Sequence, residues 1–447
     1  VVFQGWSGLY RVVDVQDQER LLASEMEPGV LKMISDRSHP VQPDIGTDRV
    51  LVIAGDRSSS SQDSLPTVVD PAHDHEHDAV LERRRDVDEK HERVVRYLEQ
   101  TGYQAVILGH ADSLAWFTAG GDLGQTMSAE LGAIQIFVNA RARVVICDNV
   151  QSARVFEEEL AGLGFQLKEW AWTADPASLL QELVRNKRVA SDGFARIAGL
   201  CDERPALRDL RYPYTPLERQ RLRELGRTLS LTLEATCRNF EPGESEADLA
   251  GHLAHRLLRE GVVPVDLSVA ADDRLGRFRQ PRFKSVPIEH GVTLAAVGRR
   301  HGLCAAASRT VSFGEPEPAF REAHGLAAMV DATGLYFSRP GELVSGVYKR
   351  TQRIFEKYGH ADEWRLDYQG FLVGYAGREE IFRPNSNLVL LHGMPVCWSP
   401  TVGSARSQDT VVVDERGFEV VTEAQRWPML EVQVKESTVN RPNILVR

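Results

Sequence analysis

Nowhere in the 447 residues is there an apolar run near the roughly 20 residues that span a bilayer, and the first residues lack the basic, apolar and small-residue order of a secretory signal. A protein with no membrane partner and a cytoplasmic location is the expectation. Cysteine is scarce. Cys147, Cys201, Cys237, Cys304 and Cys397 are five in number, widely spaced and without a CxxC pair, which argues against a disulfide framework or a zinc ribbon and leaves reduced thiols. Basic blocks are equally short, none longer than Arg83–Arg85, and the net charge is −11, so the phosphate-neutralising surface of a nucleic-acid binder is not expected. The fourth absence is local: no aspartate occurs between Asp273 and Asp331. Hard divalent cations need carboxylate oxygens, so this stretch offers them little.

What is present is ordinary for a globular chain, 42% apolar and 26% charged, and long enough for two or three domains. The first 78 residues show no sustained helical period and end in the polar tracts 57–64 and 73–78, the second alternating His73, His75 and His77 with acids. They read as an extension and a linker; the alternating tract is either solvated or a loose metal-holding run. Asp78 fits the N-cap of a helix to Glu99, and strands over 104–108, 133–138 and 144–147 with helices over 151–162 and 176–186 imply an α/β unit spanning 79–212. Thr215-Pro216-Leu217-Glu218 supplies the cap, N1 proline and acidic first turn of a long helix, and a second domain follows over 213–447. Within it, Pro242-Gly243-Glu244 leads to a helix stop at Gly261 and Pro340-Gly341-Glu342 to one at Gly359, 19 residues from proline to glycine in both copies. Such an echo implies two related αβ halves about a pseudo-twofold axis. Residues 292–313 read as a β-hairpin turning at His301-Gly302, with His290 in a preceding turn.

The run 242–246, the hairpin ending Ser308-Arg309-Thr310, Gly393-Met394 with Ser399-Pro400, and the closing 403–410 together resemble the ordered landmarks of the M24 "pita-bread" family, which includes aminopeptidase P, prolidase and creatinase. Residues 110–163, with Asp112-Ser113-Leu114-Ala115-Trp116-Phe117-Thr118, resemble the N-terminal domain that several members carry. The resemblance implies an α/β (α+β) protein: a creatinase-type N-terminal α/β domain followed by a pita-bread domain. It also implies a homodimer.

In the metallopeptidases of this family two aspartates, one histidine and two glutamates hold two metal ions that activate a water. Carried over residue by residue, the aspartate positions fall on Val297 (or Ala295 in a shifted alignment) and Ala306, the histidine on Phe371, and the glutamates on Ser399 and Gln408. All five ligand types are replaced, and no metal or other cofactor is expected. In creatinase a histidine supplies acid–base chemistry without metal; its position, 17 residues before Val297, holds Gln280, an amide that shuttles no protons near neutral pH.

Around these positions, Cys304 and Ser308 share a strand face with Ala306, and Cys397 one with Ser399. The candidate catalytic groups are therefore Cys304, Cys397 and Arg309, with Arg299 and His301 as further sources of positive field; the alternative is that both thiols are small apolar fillers. Asp367, Tyr368, Tyr375, Arg378 and Glu379 form either a ligand-orienting cluster or a surface ion-pair loop. The leading functional expectation is a metal-free pseudopeptidase that binds a peptide or small polar ligand in the pita-bread cleft. A metal-independent, creatinase-like hydrolase of a small C–N substrate and a scaffold or subunit role are the alternatives.

Overall fold

The computed structural model describes residues 71–403 and 405–447; the extension before residue 71, including the 57–64 tract, lies outside the described residues, as does Ser404. Helix α1 (Pro71–Thr101) begins earlier than Asp78, so the His/Asp tract from residue 73 belongs to a helix and not to a linker. Proline suits the first helical turn and residues 72–78 contain no Gly or Pro to stop propagation.

After α1 come β1 (Ala105–His110), α2 (Ala111–Phe117), β2 (Leu131–Val138), β3 (Arg143–Asp148), β4 (Gln166–Trp170), α3 (Pro176–Val184), β5 (Val189–Ser191), β6 (Leu200–Asp202) and α4 (Arg204–Asp209). The six strands form one sheet in the order β4-β3-β2-β1-β5-β6. Every residue of β1 is buried, as expected of a central strand covered on both faces.

The second domain opens with α5 (Pro216–Asn239), whose Thr215 side chain accepts from the Glu218 amide while Glu218 accepts from the Thr215 amide, a reciprocal capping box. Then follow α6 (Glu246–Arg259), β7 (Val263–Ala271), β8 (Gly291–Arg300), β9 (Leu303–Ser312), α7 (Pro318–Phe337), α8 (Val344–Lys357), β10 (Gly370–Leu372), β11 (Glu380–Ile381), β12 (Pro395–Trp398), β13 (Thr401–Val402), β14 (Ala405–Arg406), β15 (Asp409–Asp414), β16 (Gly417–Val420), β17 (Met429–Val434), β18 (Ser437–Pro442) and β19 (Ile444–Val446). A nine-stranded sheet runs β11-β10-β12-β15-β9-β8-β7, with β16 on β15 and β19 on β9. The β8–β9 turn is the two-residue His301-Gly302, both at positive φ (52° and 74°), the backbone twist a tight hairpin needs.

The echo in the sequence is an echo in hydrogen bonding. Gly243 N donates to Ile288 O and Gly341 N to Leu390 O, both at 2.8 Å, and the return bonds Ile288 N to Glu244 O and Leu390 N to Glu342 O are both 2.9 Å. Gly243 and Gly341 take φ of +92° and +85°, a region open to glycine. Each half is thus a helix, a Pro-Gly-Glu turn, a second helix and strands, and the two halves share one sheet. Strand β9 is buried along its whole length. Its Leu303, Ala305 and Ala307 join the main core with Leu225, Leu229 and Leu233 of α5, while Cys304 and Ala306 face the other way.

Candidate functional site

Strand register brings the former ligand positions together. Val297 pairs with Ala306 across β8–β9, and Cys397 stands between Phe371 on β10 and Thr410 on β15. Because alternate residues share a face, Val297, Cys304, Ala306, Phe371, Val373 and Cys397 form one cluster, none more than 5% exposed. The centre of the sheet is an apolar plug.

At the glutamate positions the structure substitutes a cation for cation ligands. Ser399 Oγ lies 3.1 Å from Gln408 Oε1, and Arg406 Nη1 donates to both, at 2.7 and 3.4 Å. The same guanidinium gives Nη2 to Asp367 Oδ2 at 3.0 Å and to the Arg279 carbonyl. Arg406 is 7% exposed. Ser and Gln offer neutral oxygens, and those oxygens already accept from a buried positive charge, so a pair of divalent ions does not fit this donor set. Among the described residues, no group of three or more His, Cys, Asp or Glu side chains has the placement to hold a metal. The sequence reading passed over Arg406. Its signal was there, since it stands two residues from Gln408 inside the closing motif.

Gln280 is used at both ends of its amide: Nε2 donates to Asp367 Oδ1 at 2.7 Å, and Oε1 accepts from Arg378 Nη2 at 3.2 Å. The loop carrying it is held down further by Arg279, which bonds Thr401 Oγ1 at 3.0 Å and Glu363 Oε1 at 2.8 Å. Asp367, Tyr368 and Arg378 do converge here, Arg378 lying over the rings of Tyr368 and Phe371 at 5.7 and 5.5 Å. Tyr368 is exposed, so this mouth faces solvent.

Tyr375 and Glu379 do not join them. Tyr375 donates to Glu218 at 2.6 Å and lies 3.3 Å from Lys90 Nζ, itself fully buried between Asp86 (2.6 Å) and Glu218 (2.8 Å). Glu379 pairs with Arg211 at 3.0 Å and accepts from Tyr212, while Arg211 also holds Asp112 at 3.0 Å. These groups lock α1 and the first domain onto the second. The five-residue cluster read from the sequence is therefore two assemblies, because residues close in a loop project to opposite sides of it.

The catalytic candidates are likewise redistributed. Arg309 points away from the Cys304–Ala306 face, as strand alternation requires, and bonds Asp409 (3.1 Å), Ser230 (3.0 Å) and the Thr422 carbonyl (3.1 Å) in a buried network that continues through Arg441 to Asp331. Burial pushes the Cys304 thiol up to about 12, and Cys397 also lies well above the usual thiol range, burial again being the main cause. Neither forms thiolate near neutrality.

The sequence profile described as "Metallopeptidase family M24" matches residues 220–415, a span containing all five positions. The match assigns residues 220–415 to an M24-type domain. It is 23% identical over 302 residues to a "Probable dipeptidase PepE" of Mycobacterium tuberculosis, across 62% of this chain and 80% of that protein. Among solved structures the prolidase from Pyrococcus horikoshii superposes with a TM-score of 0.66 at 14% identity, covering 76% of this chain and 99% of the prolidase. The N-terminal domain of FACT complex subunit SPT16 from Cicer arietinum (chickpea) superposes with a TM-score of 0.58 at 11% identity, covering 76% and 96%. The M24 fold assignment rests on this shared architecture. Within the described residues no helix is long and apolar enough to cross a membrane.

Proposed function

We propose that this M24 protein is a pseudopeptidase: a pita-bread domain retained for binding, with no dinuclear metal chemistry. The observation that carries the reading is Arg406, whose guanidinium occupies the hydrogen-bonding capacity of Ser399 and Gln408 beside an apolar plug. The binding surface that remains is the mouth, where Asp367, Tyr368 and Arg378 surround Gln280 and suit a short peptide or small polar molecule. The metal-independent hydrolase reading lacks a proton shuttle, since Gln280 is an amide and both thiols are buried and protonated. A scaffold role draws support from the likeness to a subunit of the FACT complex.

The test is hydrolysis of Xaa-Pro dipeptides and tripeptides by metal-stripped protein reloaded with manganese, cobalt or zinc, with elemental analysis of the same sample. The expectation is substoichiometric metal and no chelator-sensitive turnover. Stoichiometric metal with turnover abolished by chelator overturns the proposal.

A further inference from the structure

Between the first domain and the tip of the β8–β9 hairpin lies a cavity of about 520 Å³. That volume falls in the range of roughly 300–1,000 Å³ usual for small-molecule sites. It is separate from the former metal positions: the tip is four residues beyond Val297, about 13 Å along an extended strand.

Three elements bring cations to its wall: Arg83 from α1, Arg221 from α5, and Arg300 beside His301 at the hairpin tip. The partners of these guanidiniums are mostly neutral. Arg83 donates to the carbonyls of Thr118 (3.2 Å) and Glu159 (2.8 Å), and Arg221 to that of Ala119 (2.6 Å). Arg300 makes two long contacts, 3.5 Å to the Glu260 carbonyl and 3.9 Å to the Glu224 carboxylate. The Nε atoms of Arg83 and Arg300 are buried without a hydrogen-bond partner among the described residues. Of the acids in the same wall, Asp112 pairs with Arg211 at 3.0 Å and Glu159 with Arg154 at 3.6 Å and the Asp122 amide at 2.9 Å, while the carboxylates of Asp122 and Glu158 also line the space. Guanidiniums gathered from separate elements, with carbonyls as their main direct hydrogen-bond partners, keep charge that an anion seated among them can pair with. His301 senses the same field: burial first, then Arg221, Arg300 and Arg83, push its imidazole down to about 4.

The cavity is pre-shaped as well as charged. A Cβ on Gly120 would lie 2.7 Å from that of His301, so the loop after α2 meets the hairpin tip with no room for a side chain.

We propose that this junction cavity binds a small organic oxyanion, a carboxylate or a phosphate monoester, through Arg83, Arg221 and Arg300. The site does not depend on the fate of the metal positions.

Calorimetry and thermal-shift titration of the full chain with succinate and with glycerol 3-phosphate, against sodium chloride at matched ionic strength, test this. The expected result is saturable binding of at least one of the two beyond the chloride response. Binding of succinate alone assigns a carboxylate site, and of glycerol 3-phosphate alone a phosphate site. Loss of a charge-assisted contact in Arg300→Gln should weaken the responding anion by about tenfold or more, whereas Arg321→Gln, at an exposed pair with Glu315 away from both the cavity and the cleft mouth, should leave it unchanged. Should Arg300→Gln disturb the hairpin, hydrogen exchange on the unaltered protein gives an independent reading, with anion-dependent protection expected at 118–124 and 298–303. Neither anion exceeding chloride, equal affinity in a folded Arg300→Gln variant, or protection confined to other segments would overturn the proposal.

Discussion

Val297→Asp restores a carboxylate at the first aspartate position and tests whether that position is core or cleft. Val297 is 5% exposed and packed with Cys304, Ala306, Phe371, Val373 and Cys397. An isolated carboxylate in such surroundings has its pKa raised by up to roughly 3–5 units, and each unit corresponds to about 1.4 kcal/mol. The variant should therefore lose about 4–7 kcal/mol of stability once the new group must ionise, and less if Arg378, which already contacts Asp266 at 3.7 Å, swings in to pair with it. The direction with pH follows from the raised folded-state pKa: below about pH 4 both states are protonated and the deficit is smallest, and it grows as pH rises through the folded-state value. Val297→Thr, which adds only a hydroxyl of similar shape, should cost about 1–3 kcal/mol at any pH. Urea denaturation of both variants at pH 5 and pH 8, each relative to the unaltered protein, measures this directly. A Val297→Asp deficit equal at the two pH values, or below about 1 kcal/mol at pH 8, would mean that water reaches the position and that the plug does not exist. Rescue of the variant by manganese would show that metal-binding geometry survives.

Arg406→Met removes the counter-charge of Asp367, whose side chain is 2% exposed, and should cost about 3–5 kcal/mol in denaturant unfolding, with Arg406→Met/Asp367→Asn recovering a substantial part; a double variant no better than the single one refutes the pairing. Native protein treated with a disulfide thiol reagent at pH 8 should label the half-buried Cys201 and spare Cys304 and Cys397 until it is unfolded. Rapid modification of either buried thiol would contradict its packing. His301, lowered to about 4 by burial and by Arg221, Arg300 and Arg83 against the opposing Glu224, binds fewer protons folded than unfolded between that value and the usual 6.5. Its contribution to stability is thus present above pH 6.5 and lost as pH falls towards 4. His301→Asn should flatten the acid-side decline of stability, and an unchanged decline would exclude the assignment.

Much of the architecture follows from chemistry local in the chain. The Thr215–Glu218 capping box, the Pro-Gly-Glu turns at 242 and 340, and the alternation along β9 each depend on residues within a few positions of one another, so their structures follow from spacing alone. The missing ligand types were legible for the same reason, because a valine or an alanine has no donor atom whatever surrounds it. The start of α1 was not, since a polar His/Asp tract is compatible with either helix or linker. Nor could the sequence show that Arg406 reaches Ser399, Gln408 and Asp367 together, or that Tyr375 and Glu379 leave the cleft for Lys90 and Arg211. Asp367, Lys90 and Arg211 lie far along the chain from the groups they meet, and which way each side chain projects is decided when the sheet closes and the two domains dock. The arginine-walled cavity is the extreme case: Arg83, Arg221 and Arg300 are unremarkable charges in the sequence, and only the packing of α1 and α5 against the hairpin tip brings them to one space.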